Sequence, residues 1–267
     1  FHMNFNFPVM PRLYMALAKG DRSSIVDIMQ NTPDVPNGSQ WVNFLRNHDE
    51  LTLEMVTEEE RDFMWDYYAA DLNARLNLGI RRRLAPLVEN DRRKIQILNS
   101  LLFTMPGSPI LYYGDEIGMG DDITQADRNG VRTPMQWDTT ENAGFSRAPR
   151  EQLYMPLISD PVFGYTSVNV EAQREDRSSL LHTIREMIYT RKRLPVLGVG
   201  RLEWWHHLPN ELLCFKRVSE YDAFLALHNL SDQDRVVDLD GTYKDALANT
   251  DEIIEGQIQL LPYGYRW

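Results

Sequence analysis

The chain has 267 residues and a net charge of -11 at pH 7, with 43% hydrophobic and 25% charged residues. This length and composition are typical of a globular protein with one large core or two smaller ones. The acidic balance argues against nucleic acids and anionic membranes as partners, and no apolar run is long enough to cross a bilayer. The single cysteine, Cys214, excludes an internal disulfide, so we expect it to be a small buried hydrophobe in a cytoplasmic protein.

Strand and helix patterns alternate in the first part of the chain. In chain order we predict a strand at 3–7, a helix at 11–30 broken near Gly20, a loop at 31–39, a strand at 41–46, a polar helical stretch at 57–94 and a helix with one buried face at 95–105. The basic clusters Arg81–Arg83 and Arg92–Lys94 fall within the helical stretch, and we expect them to lie on a solvated face.

The second part changes character twice. A short strand at 109–113 is followed by a turn-rich segment from 114 to about 170, and loops of that length in compact domains are usually functional. A helix follows at 180–188, with a cap region at 176–179. After Pro195 only short strands separated by turns are predicted, at 202–205, 212–218, 223–227, 236–239 and 258–261. The pattern therefore predicts a parallel β/α layout and then an all-β module.

Three segments carry side chains suited to chemistry: 47–50 (Asn-His-Asp-Glu), 107–116, and 127–137 with its continuation at 142–145. The first segment follows a predicted strand, and in parallel sheets and barrels the carboxyl ends of the strands carry the chemistry. A His-Asp-Glu cluster there can hold hydroxyl groups and stabilise developing positive charge, as sugar chemistry requires.

Each segment also has a plain structural interpretation. The cluster at 47–50 fits a turn or helix cap, and so do Asp115 and Glu116. Arg132 fits a surface ion pair, and Trp137 fits a core position.

Together and in this order, the three segments resemble the second half of the catalytic barrel of the α-amylase family of glycoside hydrolases. The longer runs at 44–57, 79–87 and 129–137, and the ending at 261–267, are similar to the trehalose synthases within that family. The resemblance extends over nearly the whole chain. The Asn-His-Asp element alone is shared by many amylase relatives, whereas the longer runs are far more specific.

The resemblance implies an α/β fold, namely the C-terminal part of a (β/α)8 TIM barrel that contains strands six to eight. The sixth strand would lie near 3–7, the seventh at 41–46 and the eighth at 109–113. An all-β antiparallel sandwich would follow, so that residues 1–198 form the C-terminal half of the catalytic barrel and residues 199–267 the sandwich domain. We expect a piece of a longer protein, since the sequence begins Phe-His-Met with no earlier methionine.

The resemblance also implies roles for individual residues. Asp49 matches the third catalytic carboxylate, which holds the sugar 2- and 3-hydroxyls and favours the oxocarbenium-like transition state. His48 and Glu50 would bind the same substrate, and Arg132 matches the arginine that closes the end of the sugar pocket. No metal ligand and no cofactor is predicted in this chain. The resemblance implies that any calcium would be held mainly by residues upstream of this chain. The spacing at Asp121 and Asp122 fits no cation loop.

The implied function is that of a retaining glucosyltransferase that interconverts maltose and trehalose. The nucleophile and the acid/base carboxylate would come from the fourth and fifth strands, so the expected partners are the disaccharide and the upstream remainder of the barrel. Whether the protein forms a homo-oligomer is left open. Two alternatives remain: another α-glucosidase or sucrose-isomerase-like member of the family, and a non-catalytic amylase-like binding module.

Overall fold

The computed structural model describes residues 2–36, 38–205, 207–248 and 250–267 and shows an α/β fold. Its helices are α1 (Val9–Lys19), α2 (Ser23–Asn31), α3 (Glu58–Tyr68), α4 (Leu84–Leu87), α5 (Arg92–Thr104), α6 (Val170–Glu175), α7 (Leu180–Arg193) and α8 (Val196–Val199). Its strands are β1 (Met3–Phe5), β2 (Gln40–Phe44), β3 (Leu51–Thr52), β4 (Arg75–Leu76), β5 (Gly79–Ile80), β6 (Ser108–Ile110), β7 (Arg201–Trp204), β8 (Leu212–Val218), β9 (Ala223–Asn229), β10 (Arg235–Asp238), β11 (Tyr243–Lys244), β12 (Ile253–Ile254), β13 (Gln257–Leu260) and β14 (Tyr265–Arg266). None of the helices among these residues is long and apolar enough to cross a membrane.

The chain folds into two compact units. One contains Phe1–Asn43, Gln96–Pro109 and Glu186–Trp267, and the other contains Phe44–Ile95 and Ile110–Arg185. These units group the segments of the chain that pack together. They are not the same as the predicted domains, whose boundary between a barrel half and a sandwich at residues 198 and 199 stays a prediction.

In the first unit, β1 and β2 pair in parallel, with Phe5 opposite Val42, and β6 joins β2 on its other side. Between β1 and β2 the helical pattern breaks as predicted. Helix α1 ends at Gly20, whose φ of 60° is left-handed and therefore suits glycine. Helix α5 lies where the apolar spacing predicted it, and Leu98, Leu101 and Leu102 are buried.

The all-β module after residue 200 is also present in the first unit. Strands β14, β9, β8 and β7 form one antiparallel sheet in that order, β10 pairs with β13, and β11 pairs with β12. Leu212, Leu225, Leu227 and Val237 pack into its core together with Cys214. Cys214 is fully buried, which confirms the expected buried hydrophobe. This burial raises the pKa of its thiol to about 12. The barrel strand numbers and the sandwich arrangement stay predictions.

In the second unit, the stretch at 57–94 is only partly helical. Helix α3 begins with a capping box, in which Thr57 and Glu60 each bond the other's backbone N–H. Beyond it, β3, β5 and β4 form a small antiparallel sheet. Asn77 turns the chain between β4 and β5 with a left-handed φ of 50°. An α-helix cannot include a residue with this φ. The chain therefore turns at Asn77, although the polar pattern of the stretch at 57–94 predicted a helix there.

The expectation that the arginines at 81–83 lie on a solvated helix face is wrong. They follow strand β5 in an extended segment, and Arg83 is fully buried. Charge runs usually mark solvated faces, but a guanidinium can be buried when backbone carbonyls and carboxylates accept its hydrogen bonds.

The segment from 114 to 170 is turn-rich, as predicted. It contains four short 3-10 helices, at Asp115–Ile117, Asn129–Val131, Glu141–Gly144 and Arg150–Gln152. Ile117, Met119, Met135 and Val170 form a core beneath it. The cap predicted before α7 is present, since Ser179 Oγ accepts a hydrogen bond from the His182 N–H at 3.3 Å.

Candidate active site

The loop that follows β2 carries three of the four predicted site residues, and Arg132 lies beside it. Arg132 Nη2 donates to Asp49 Oδ1 at 2.9 Å, and its Nε donates to the backbone carbonyl of His48 at 2.8 Å. The ring of His48 lies close to the other carboxylate oxygen, with 3.6 Å between Nε2 and Oδ2. Segments 83 residues apart in the sequence thus meet at one carboxylate.

A second arginine, Arg128, contacts both acidic residues of the loop. Its Nε lies 3.3 Å from Asp49 Oδ1 and donates to Glu50 Oε2 at 2.7 Å, while its Nη2 donates to Glu50 Oε1 at 3.1 Å. This paired geometry is the strong form of an arginine–carboxylate contact. Arg128 stands inside one of the segments singled out in the sequence, but its role was missed because the pattern does not reveal which carboxylate an arginine meets.

Glu50 is held more tightly than its neighbour. Asn77 donates to Glu50 Oε1 at 2.9 Å, in addition to the two bonds from Arg128. Burial disfavours the charged carboxylate, but the hydrogen bonds from Asn77, its own backbone and Arg128 outweigh this and lower the pKa of Glu50. Both oxygens are therefore engaged within the protein, and direct substrate binding by Glu50 stays a prediction.

The backbone around Asp49 is fixed by polar contacts. The side chain of Asn47 accepts a hydrogen bond from the Asp49 N–H at 2.9 Å, which forms a local turn. The buried Arg46 donates from Nη2 to the Asp49 carbonyl at 2.8 Å and from Nε to the Arg82 carbonyl at 2.6 Å. Arg46 was not predicted as a site residue either, since a buried arginine beneath a loop leaves no pattern in the sequence.

The side chains of Asp49 and His48 remain open to a ligand. Their exposed fractions are 44% and 68%, compared with 11% for Glu50. A carboxylate that is oriented on one oxygen and accessible on the other can accept hydrogen bonds from neighbouring hydroxyl groups. The imidazole beside it can donate one. This arrangement can bind a polyhydroxylated ring and stabilise positive charge on it.

Comparisons with known proteins identify relatives of this chain. The family model "Alpha amylase, catalytic domain" matches residues 80–200. A trehalose synthase from Pimelobacter sp. (strain R48) is 52% identical over 243 residues, which cover 90% of this chain and 42% of that protein. A trehalose synthase/amylase from Mycobacterium tuberculosis is 51% identical over 242 residues, which cover 90% of this chain and 40% of that protein.

The chain is a homologue of the trehalose synthases of the α-amylase family. The resemblance inferred from the sequence is confirmed. The chain spans about two fifths of the length of these curated relatives. Among solved structures, an α-amylase from H. orenii is similar over 100% of this chain and 48% of its own length, with a TM-score of 0.69 and 19% identity, and this likeness supports the fold alone.

A second group of charged side chains lies around the Tyr-Tyr-Gly-Asp-Glu run at 112–116. Arg83 donates to the Tyr113 carbonyl at 2.7 Å, and its guanidinium lies 4.7 Å from the ring centres of both Tyr112 and Tyr113. Burial raises the pKa of Asp115 to about 6, although Arg83 Nη1, at 3.4 Å, acts to lower it. Burial likewise raises the pKa of Glu116.

Asp115 and Glu116 stand inside the 3-10 helix at Asp115–Ile117 and not at its N-cap position, which is Gly114. Backbone hydrogen bonds from Glu116 and Gly114 to the Glu116 carboxylate act against the effect of burial on its pKa. Trp137 is 46% exposed and is therefore not a core residue.

Among the residues that the structure describes, no group of three or more His, Cys, Asp or Glu side chains is placed to hold a metal ion. The paired aspartates at 121 and 122 have structural contacts instead. Asp121 Oδ2 accepts hydrogen bonds from the Arg83 N–H at 2.6 Å and Arg82 Nε at 3.1 Å. Asp122 Oδ1 accepts from Thr124, at 3.0 Å from N and 2.6 Å from Oγ1.

Proposed function

We propose that this chain is part of a retaining glucosyltransferase that interconverts maltose and trehalose, and that Asp49 stabilises its transition state. The observation that carries the proposal is the Asp49 carboxylate. It is half exposed and held on one oxygen by Arg132, at the carboxyl end of β2, in a homologue of the trehalose synthases.

The catalytic cycle follows from the needs of retaining chemistry. Cleavage of the α-1,4 bond of maltose requires a nucleophilic carboxylate and an acid/base carboxylate about 5 to 5.5 Å apart. Attack by the nucleophile, with proton donation from the acid/base carboxylate to the leaving 4-oxygen, would give a β-glucosyl-enzyme and free glucose. The glucose would turn within the closed pocket and attack through its anomeric hydroxyl. The acid/base carboxylate would take the hydroxyl proton, and the nucleophile would leave as trehalose forms.

Three residues of this chain have roles in the cycle. Asp49 would accept hydrogen bonds from the sugar 2- and 3-hydroxyls, and these strengthen as the ring flattens towards the oxocarbenium ion. His48 would donate to the same ring. Arg132 would hold Asp49 Oδ1, so that Oδ2, which faces His48, is presented to the substrate. Electrostatic groups that are oriented in advance stabilise a transition state most effectively.

The remaining groups would come from the rest of the barrel. In this proposal β1, β2 and β6 are the sixth, seventh and eighth strands, and the nucleophile and acid/base lie on the upstream remainder of the barrel, after the fourth and fifth. The chain spans about two fifths of the length of a curated relative, so in this proposal other parts of the parent enzyme supply the remaining groups. The strands after residue 200 would form the C-terminal sandwich, and the parent enzyme would be cytoplasmic.

Product analysis of the intact enzyme tests the proposal. The enzyme would be incubated with maltose, trehalose or sucrose, and the products followed by NMR. We expect maltose and trehalose each to yield the other, with little glucose. Glucose as the main product would indicate an α-glucosidase, isomerised sucrose would indicate the sucrose-isomerase-like alternative, and no turnover of any sugar would indicate a binding module.

A further inference from the structure

Arg81, the first residue of the arginine run at 81–83, donates hydrogen bonds to the loop that carries Arg128. Arg81 Nη1 donates to the carbonyls of Gln125 and Asp127, each at 2.8 Å. Its Nη2 donates to the Ile123 carbonyl at 3.2 Å, and its Nε donates to the backbone carbonyl of Asn73 at 2.7 Å. One guanidinium thus holds three carbonyls of a single loop.

A backbone hydrogen bond closes that loop on itself. The Asp122 N–H donates to the Gly130 carbonyl at 3.1 Å and joins the two ends of segment 122–130. Gly130 has no room for a side chain, because a Cβ would lie 2.0 Å from the Asp122 carbonyl oxygen. The loop presents alternate carbonyls, at 123, 125 and 127, to the Arg81 side chain. A planar fork with five donors suits this task, whereas the single ammonium group of lysine cannot reach all three acceptors.

The residue after the last of these carbonyls is Arg128, which contacts Asp49 and Glu50. Asp127, whose carbonyl accepts a hydrogen bond from Arg81, has a left-handed φ of 51° and directly precedes Arg128 in the chain. Arg81 also begins the run whose next member, Arg82, offers its carbonyl to Arg46, and Arg46 in turn donates to the Asp49 carbonyl. Arg81 therefore reaches the Asp49 carboxylate only through the loop and Arg128, whereas Arg82 supports the Asp49 backbone through Arg46.

We propose that Arg81 is a positioning residue for the Asp49 site: it anchors the loop 122–130 so that Arg128 holds Asp49 and Glu50 in their working orientation. This inference rests on the proposed function for its catalytic consequence. Arg81 itself does not touch the Asp49 carboxylate and acts only through the loop.

The first test is kinetic and uses Arg81→Lys in the intact enzyme with maltose as substrate. Misplacement of a site group by about 1 Å can cost on the order of a hundredfold in rate, so we expect kcat to fall by about ten- to a hundredfold, with a smaller change in KM. The matched control is Arg93→Lys, in the other basic cluster, whose side chain is 58% exposed and pairs with Asp91. The control should keep the parent kcat.

A double-mutant cycle separates positioning from general stability. If Arg81 acts through Arg128, Arg81→Lys should lower kcat by less than about twofold in an Arg128→Ala background, while its effect on Tm remains the same in both backgrounds. An equal loss of kcat in both backgrounds, or a lower Tm with the parent kcat, would overturn the proposal.

Hydrogen exchange provides a measurement that does not depend on turnover. In the Arg81→Lys protein we expect faster exchange of the backbone amides at 122–130 and at 49–50 than in the parent, and no such change in Arg93→Lys. Parent-like exchange in these segments would refute the anchoring role whatever the activity. If the enzyme turns over no maltose and these amides still exchange faster, the proposed function fails while the anchoring by Arg81 stands.

Discussion

Asp49 and Glu50 are adjacent carboxylates whose surroundings suit them to different tasks. Glu50 is nearly buried and accepts hydrogen bonds on both oxygens, from Arg128 and Asn77. Asp49 shares the contact with Arg128, but half of its side chain is open, and Arg132 engages only Oδ1. We therefore interpret Glu50 as an anchor for Arg128 and Asp49 as the group that meets the substrate.

Arg132→Ala should change the outcome of the reaction more than its rate. The arginine joins the long segment 114–170 to the His48 carbonyl and the Asp49 carboxylate, so its loss should let water reach the glucosyl-enzyme. We expect trehalose formation to fall more than maltose cleavage, with glucose as the additional product. Product ratios from NMR provide the measurement. An unchanged ratio of glucose to trehalose would favour the surface ion pair interpretation of Arg132.

A buried histidine of the first unit makes its stability depend on pH. His228 Nδ1 lies 3.2 Å from the Leu213 carbonyl, which can only accept, so Nδ1 carries the proton. Nε2 then accepts from Ser100 Oγ at 2.8 Å, and Ser100 Oγ accepts from Trp267 Nε1 at 2.7 Å. Burial, which outweighs the bond to Leu213, lowers the pKa of His228 to about 3.

Because the pKa of His228 is lower in the folded chain than the 6.5 of a free histidine, the unfolded chain binds the extra proton between these values. The stabilising contribution of the neutral ring is complete above pH 6.5 and decreases as the pH falls towards 3. We expect the free energy of unfolding to fall between pH 6 and 4 by up to about 1.4 kcal/mol per pH unit more than in His228→Gln. Denaturant titrations at several pH values measure this slope. His182→Gln is the control, and a slope shared by all three proteins would contradict the assignment.

At the scale of elements, the turn between α5 and β6 requires a glycine. Gly107 has a φ of 116°, and a Cβ there would lie 2.6 Å from the Trp41 carbonyl oxygen. Gly107→Ala should therefore lower the free energy of unfolding by about 1–3 kcal/mol or more. Gly198 in α8 is the matched control, since its Cβ would have nothing within 4 Å. Gly198→Ala should be neutral or slightly stabilising. Equal denaturation midpoints for both variants would contradict this account of the turn.

The sequence predicted the elements that a regular pattern marks. Helices α5 and α7 follow apolar spacing, and the break between α1 and α2 follows Gly20. The small β3–β5–β4 sheet was missed, because strands of two residues have no periodicity and depend on the turn at Asn77. The burial of Arg83 was missed for a related reason, since its partners lie about thirty residues away in the chain.

In the candidate site, too, the sequence singled out some residues and missed others. Asp49, His48 and Arg132 were singled out because they stand in runs that resemble a known family, and the structure places them together, whereas their roles stay predictions. Arg46 and Arg128 were not found. Their roles come from contacts with a carbonyl and with carboxylates that only the folded chain brings near. A local pattern identifies the side chains that carry chemistry more readily than those that hold them in place.

At the scale of the whole molecule, the 267-residue chain should associate when it is produced alone. Within the described residues β1 is an edge strand of its sheet, and Met3 and Phe5 are each about half exposed. Exposed strand edges with apolar side chains favour association. Sedimentation velocity should show a broad distribution of larger species that narrows when the upstream half of the barrel is supplied. A monodisperse chain that melts cooperatively would contradict the half-barrel interpretation.

The most direct test of the account is the turnover of maltose by Asp49→Asn in the intact enzyme. The substitution keeps the shape of the side chain and removes the charge that would support the oxocarbenium ion. Groups of this kind contribute about 2.7–4 kcal/mol, so we expect kcat to fall by roughly a hundredfold or more, with Tm nearly unchanged. If Asp49 were only a cap, its replacement would cost about 1 kcal/mol of stability and leave the rate intact. A variant with parent-like turnover and a lowered Tm would contradict the catalytic role of Asp49.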